Sequence, residues 1–172
     1  MSFKMLAIGM TCICLLLVGW LANDFYRAIQ TPNIENPASF TFNSEKNSKN
    51  SILPPSDHIS TDKIRVYDDR VFLDLPDASW SVFTDTHSMD PVLSPNANGL
   101  EIKPKSEDDI QVGDIVAYTS HYTTGIIVHR VIDKQKDEEG TYYTIKGDNN
   151  PTSDPGKIRF NQITGVVVAI VY

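Results

Sequence analysis

Apolar and polar positions alternate in two different ways along this chain. Residues 5–22 form a single uncharged apolar run, preceded by Lys4 and followed by Asn23 and Asp24. As a helix rising 1.5 Å per residue, the run spans about 27 Å, close to the ~30 Å hydrocarbon core of a bilayer. A cleaved secretory signal has a shorter apolar centre and a small-x-small end. Here the run closes on Gly19-Trp20-Leu21-Ala22, with bulky Trp20 where a small residue is needed. The pattern predicts one uncleaved N-terminal transmembrane helix within residues 1–27. Trp20, Phe25 and Tyr26 suit an interfacial belt, and Lys4 favours a cytoplasmic N-terminus. The remainder is then expected outside the cytoplasm.

Residues 28–63 are rich in Asn, Ser and Pro and lack apolar periodicity, which predicts a polar tether. From residue 64 onward the pattern becomes short β-type runs at 64–67, 71–75, 80–83, 115–118, 125–132, 141–146 and 163–172. Turn signals separate them: Leu75-Pro76-Asp77, Ser94-Pro95-Asn96, Asn98-Gly99, Glu139-Gly140, Gly147-Asp148-Asn149 and Asp154-Pro155-Gly156. No window after the anchor has a 3.6-residue apolar period. Residues 64–172 therefore read as a mostly β domain, of a size that suits barrel or sandwich closure. In the run 125–132, alternation puts His129 on one face with Ile127 and Val131, and Arg130 on the other with Val128 and Ile132.

Charge and cysteine content narrow the function classes. The 172 residues carry a net charge of −7, and all of the acidic excess lies beyond Lys63. Such a surface repels phosphate backbones, so nucleic acid is not an expected partner. Cys12 and Cys14 both fall in the apolar run, which leaves the exported part without a disulfide or a cysteine metal site. No His-x-x-x-His or comparable ligand spacing occurs, and neither a metal nor a cofactor is expected.

Three local features could carry chemistry: Thr86-His87-Ser88-Met89-Asp90-Pro91, the His129-Arg130 run, and Lys146-Gly147-Asp148-Asn149-Asn150 with Asp154 beyond it. Nucleophilic catalysis needs a hydroxyl, a base to take its proton and a group to orient the base. These segments supply Ser88, then His129, then Asp148 or Asp154. Each also has a plain reading. Ser88 before Pro91 is ordinary turn chemistry, His129 a core histidine, and Gly147-Asp148-Asn149 a hairpin turn. His87 and His121 are rival bases, although the His87 side chain points away from its neighbour Ser88 on an extended backbone. His58 falls in the tether with no assigned role.

Taken together, the segments resemble the membrane-bound type I signal peptidases, particularly their archaeal and endoplasmic-reticulum branch. The resemblance runs from about Trp80 to the C-terminus. Ser88-Met89-Asp90-Pro91 looks like the Ser-Met-x-Pro nucleophile box, and Val112-Gly113-Asp114-Ile115-Val116 resembles the Gly-Asp strand that follows it. His129-Arg130-Val131 matches the box in which this branch has His in place of a catalytic Lys. Gly147-Asp148-Asn149-Asn150 with Asp154 is similar to the last box and its second aspartate. His87 is bulkier than the residue usual before the nucleophile, and Asn96-Ala97-Asn98-Gly99 reads as an inserted polar turn.

The resemblance implies a serine endopeptidase that removes signal peptides from exported preproteins, working at the outer membrane face. Ser88 would be the nucleophile and His129 the general base, with Asp154 or Asp148 orienting the imidazole. The Ser88 backbone N–H and the Thr86 hydroxyl would form the oxyanion hole, and Met89, Pro91, Arg130, Gly147 and Asn149 would support the motif. Preprotein signal peptides, the lipid bilayer and the protein-export machinery are the implied partners. A second reading is a catalytically silent, membrane-tethered polypeptide-binding protein of the same fold. A self-cleaving repressor would instead carry a DNA-binding helical unit and a Lys base.

Overall fold

The computed structural model describes residues 15–22 and 52–172, and residues 15–22 are helical. Most of the expected anchor and tether, at residues 1–14 and 23–51, lies outside the described residues. Among the described residues no helix is long and apolar enough to cross a membrane.

The protein is mostly β. Contacts divide the described residues into two compact units. One holds the helical residues 15–22 and residues 64–72, in which β1 (Ile64–Val66) pairs with β2 (Val71–Leu73) as a two-stranded sheet. The other holds residues 52–63 and 73–172 and contains a single antiparallel sheet of seven strands. These are β3 (Ser79–Val82), β4 (Asn98–Ile102), β5 (Ile115–Thr119), β6 (Ile126–Asp137), β7 (Gly140–Lys146), β8 (Ile158–Arg159) and β9 (Ile163–Val171). Their order across the sheet is β3-β4-β9-β5-β6-β7-β8.

The sheet buries apolar side chains on both faces, which follows from alternation along its central strands. Val116, Tyr118, Val131, Tyr143, Ile145 and Val166 form one cluster. The intervening positions Ile115 and Val167 join Met89 and Leu93 in a second. Val116 pairs with His129, and Ile115 pairs with Arg130. The two adjacent polar residues therefore leave the strand on opposite faces, as the pattern predicts.

Three sequence expectations are corrected. Asn98-Gly99 is the start of β4 and not a turn. Gly99 is there because a Cβ would come within 2.7 Å of the Phe83 ring, and the reversal lies earlier, where the Ala97 N–H donates to the Ser94 carbonyl at 2.9 Å. Next, β6 continues past Ile132 to Asp137, beyond a register shift between Val131 and Asp133. Its polar end pairs with β7 through backbone bonds that hydropathy does not register. Finally, residues 52–63, read as the end of the tether, belong to the seven-stranded unit. Gly113 has φ +107° and lies against the Pro54 carbonyl, where any Cβ would overlap it. Asp114 accepts hydrogen bonds from the Ser56 N–H at 2.7 Å and the Gln111 N–H at 2.8 Å.

Candidate active site

The loop from β3 to β4 carries Ser88, β6 carries His129, and the loop from β7 to β8 carries Asp154. These three, far apart in sequence, form one hydrogen-bonded line. Asp154 Oδ2 lies 2.6 Å from His129 Nδ1, and His129 Nε2 lies 2.9 Å from Ser88 Oγ. A carboxylate can only accept, so Nδ1 carries the proton and Nε2 is left as the acceptor for the Ser88 hydroxyl. The His129 and Asp154 side chains are nearly buried, at 10% and 13% exposure, while Ser88 opens onto a cleft of about 490 Å³.

Asp154 is fixed from two further directions. Its backbone N–H donates to the Ile145 carbonyl at 2.8 Å, and the Tyr118 hydroxyl donates to Oδ2 at 2.8 Å. Burial, reinforced by the Asp154 carboxylate, pushes the Tyr118 hydroxyl far above its ordinary pKa, so it remains a donor. Tyr118 was not among the residues singled out by sequence. It reads there as one more apolar position of a strand, and only the fold shows where its hydroxyl ends.

Asp148 has a different partner. Its carboxylate takes both arms of Arg130, with Nε to Oδ1 and Nη2 to Oδ2 each at 2.7 Å. The two side chains are 5% and 4% exposed. Arg130 Nη1 also donates to the Gly113 carbonyl at 2.7 Å and to the Leu53 carbonyl at 3.4 Å. This buried fork ties β6 to the Gly113-Asp114 turn and to the loop that follows β7, and does not touch His129.

The Gly147-Asp148-Asn149 segment holds the Ser88 loop in place. The Asn149 N–H donates to the Ser88 carbonyl at 2.9 Å, and Asn149 Nδ2 donates to the His87 carbonyl at 3.0 Å. The Asp148 N–H meets Met89 Sδ at 3.3 Å. A Cβ on Gly147 would come 2.6 Å from the Ser88 carbonyl oxygen, so glycine there permits the close approach. Met89 is buried in the second apolar cluster, and Pro91 follows a cis peptide bond from Asp90.

Ser88 is preceded by a residue in the left-handed region, His87 at φ 57°. For a residue with a side chain this backbone is costly, and such strain gathers at functional sites. The ring of His87 lies between two acids, with Nδ1 2.9 Å from Asp90 Oδ2 and Nε2 3.3 Å from Asp85 Oδ1. Asp90 foremost, with Asp85, raises its pKa. His87 is thus engaged away from Ser88, and His121 lies exposed in the loop between β5 and β6. Thr86 Oγ1 lies 2.9 Å from Ser88 Oγ and accepts from the Ser88 backbone N–H at 3.5 Å.

His58 is the other residue the sequence did not place. Its Nε2 approaches Asp114 Oδ2 to 3.1 Å as an ion-pair contact without a well-directed hydrogen bond. Asp114 raises the His58 pKa against the opposing effect of burial. Burial alone would raise that of Asp114, but His58 and the two backbone donors outweigh it and lower the value. Among the described residues no group of three or more His, Cys, Asp and Glu side chains is placed to hold a metal ion.

No known family matches the chain, and no solved structure does. A stretch of 44 residues is 48% identical to an uncharacterized protein of Methanocaldococcus jannaschii. That stretch covers 26% of this chain and 22% of the length of that protein.

Proposed function

We propose that this chain is a serine endopeptidase of the signal-peptidase kind, with Ser88 as nucleophile, His129 as general base and Asp154 as the acid that orients it. The reading rests on one observation, the line Ser88 Oγ–His129 Nε2–Nδ1–Asp154 Oδ2 with both contacts below 3 Å. Ser88 and His129 line the cleft, which is where a substrate would meet them. Imidazole suits the role of base because its ordinary pKa lies near neutrality, whereas a Lys must first be strongly desolvated.

In this mechanism Ser88 Oγ attacks the scissile carbonyl carbon as His129 Nε2 takes the hydroxyl proton. The new oxyanion is stabilised by the Ser88 N–H and the Thr86 hydroxyl, and Asp154 stabilises the imidazolium. Collapse expels the amine, which leaves with the proton from Nε2, and an ester remains on Ser88. Water, deprotonated by the same nitrogen, attacks the ester and restores the serine hydroxyl.

The motif resemblance makes exported preproteins the proposed substrates. It also makes the apolar run at residues 5–22 a membrane anchor that holds the seven-stranded unit outside the cytoplasm, near the export machinery. The same reading has the sheet curl toward a barrel or sandwich. The test is cleavage of a preprotein by the purified full-length chain, compared with Ser88→Ala and His129→Ala. Each substitution is expected to remove nearly all activity, and the double variant should be barely worse than either alone, since the residues act as a unit. Undiminished cleavage by Ser88→Ala would end the proposal.

A further inference from the structure

The cleft beside Ser88 has apolar walls that include Phe83, Leu93 and Val128, yet an acidic side chain also lines it. Glu101 of β4 is only 8% exposed. Its Oε1 accepts a hydrogen bond from the Ser81 hydroxyl at 2.5 Å, and no ion pair joins it to a cation among the described residues. The fold makes room for the second oxygen. At Gly165 of β9 a Cβ would stand 2.5 Å from Glu101 Oε2, so any other residue there would displace the carboxylate. Desolvating a carboxylate without a paired cation is unfavourable. A hydroxyl or amide at residue 101 could hold Ser81 without that cost.

We propose that Glu101 is a specificity-determining residue, and that it receives the cationic head of a Lys or Arg side chain close to the scissile bond of an extended polypeptide substrate. The inference rests on the peptidase reading above and deepens it by naming the substrate class. The apolar walls suit the methylene stem of such a side chain, which can lie along them while its charge reaches the acid. Seventeen of the twenty-two acidic residues lie beyond Lys63, against ten basic ones, so the field of this part of the chain also favours a basic approach.

The test uses the full-length protein and a set of otherwise identical peptides. Each carries Lys, norleucine or Glu at one of the positions flanking the cleavage point. At one of these positions Lys is expected to exceed norleucine in kcat/KM by on the order of 10-fold, and Glu to fall below both. The Lys advantage should shrink with added salt, and in Glu101→Gln, which keeps the Ser81 bond, the Lys-to-norleucine ratio should fall to near one. A wild-type enzyme without Lys preference at any position would overturn the inference, as would an unchanged ratio in a Glu101→Gln protein with a normal thermal melt. Those results leave Ser88-dependent cleavage standing and so count against Glu101 alone. Failure to cleave any peptide, with no labelling of Ser88 by a fluorophosphonate, would remove the peptidase reading and this inference together.

Discussion

Asp148 faces Arg130, and Asp154 is the acid that reaches His129. On the proposed peptidase reading the two acids have separable duties, one structural and one at the reacting centre. Asp154→Ala should lower turnover by about 10⁴-fold, the effect typical of losing the group that orients a catalytic histidine. Its thermal melt should fall less than that of Asp148→Ala, the loss coming from the Tyr118 hydroxyl left without its acceptor. Asp148→Ala leaves a buried guanidinium unpaired and should cost about 3–5 kcal/mol of stability, with partial loss of activity. Cleavage time courses set beside thermal melts distinguish the two, and an inactive but well-folded Asp148→Ala would reverse the assignment.

Tyr118 shares Asp154 Oδ2 with His129, so its hydroxyl acts on the imidazole only through the carboxylate. Tyr118→Phe keeps the ring in the core and deletes that single donor. A hydrogen bond to a charged group contributes about 1.5–3 kcal/mol, so kcat should fall by on the order of 10-fold with KM nearly constant. The low-field NMR signal of the His129 Nδ1 proton should move as well. An unmoved signal with normal kcat would make Tyr118 a core residue and nothing more.

Gly147 lies against the Ser88 carbonyl, where a Cβ would approach to 2.6 Å. Gly147→Ala must displace the Ser88 carbonyl, and with it the loop that carries the proposed nucleophile. A displacement of about 1 Å can cost 10²-fold in rate, so a loss of that order is expected alongside a much smaller change in melting temperature. Wild-type kinetics in this variant would show that the loop yields without moving Ser88.

The His58–Asp114 contact links stability to pH in a defined direction. Because the His58 pKa is raised, its contribution is complete below its ordinary value of 6.5 and is lost as pH climbs through the folded value. Because that of Asp114 is lowered, its contribution is present above about 3.8 and is lost as pH falls through the folded value. Between these limits the pair is fully formed. Wild type should therefore melt at a lower temperature at pH 8.5 than at pH 5.5 by more than His58→Gln does, each kcal/mol being worth about 2–4 °C at this length. Equal pH dependence in both proteins would refute the linkage.

Much of the strand pattern could be read from the chain because alternation is a local property. Runs 115–118, 141–146 and 163–172 fall on β5, β7 and β9, and the two-face placement of His129 and Arg130 follows from the same period of two. β4 escaped for the opposite reason. Asn98-Gly99 has the composition of a turn, and its strand conformation comes from pairing with β3 and with β9 about 70 residues away, which no local window contains. Likewise, the end of the tether looks polar and unstructured until Pro54, Ser56 and His58 are seen against Gly113 and Asp114.

By itself the sequence determined which residues could do chemistry and in what order they occur: a hydroxyl at Ser88, an imidazole at His129, and acids at Asp148 and Asp154. It also fixed the β character of the domain, since side-chain alternation and turn chemistry act over a few residues. The choice between the two acids, the recruitment of Tyr118 and the position of Glu101 in the cleft were decided only by tertiary structure. Each depends on a hydrogen bond or close approach between strands and loops far apart in the chain. Residue type sets what such a group can donate or accept, while the fold alone sets which partner lies within about 3 Å of it.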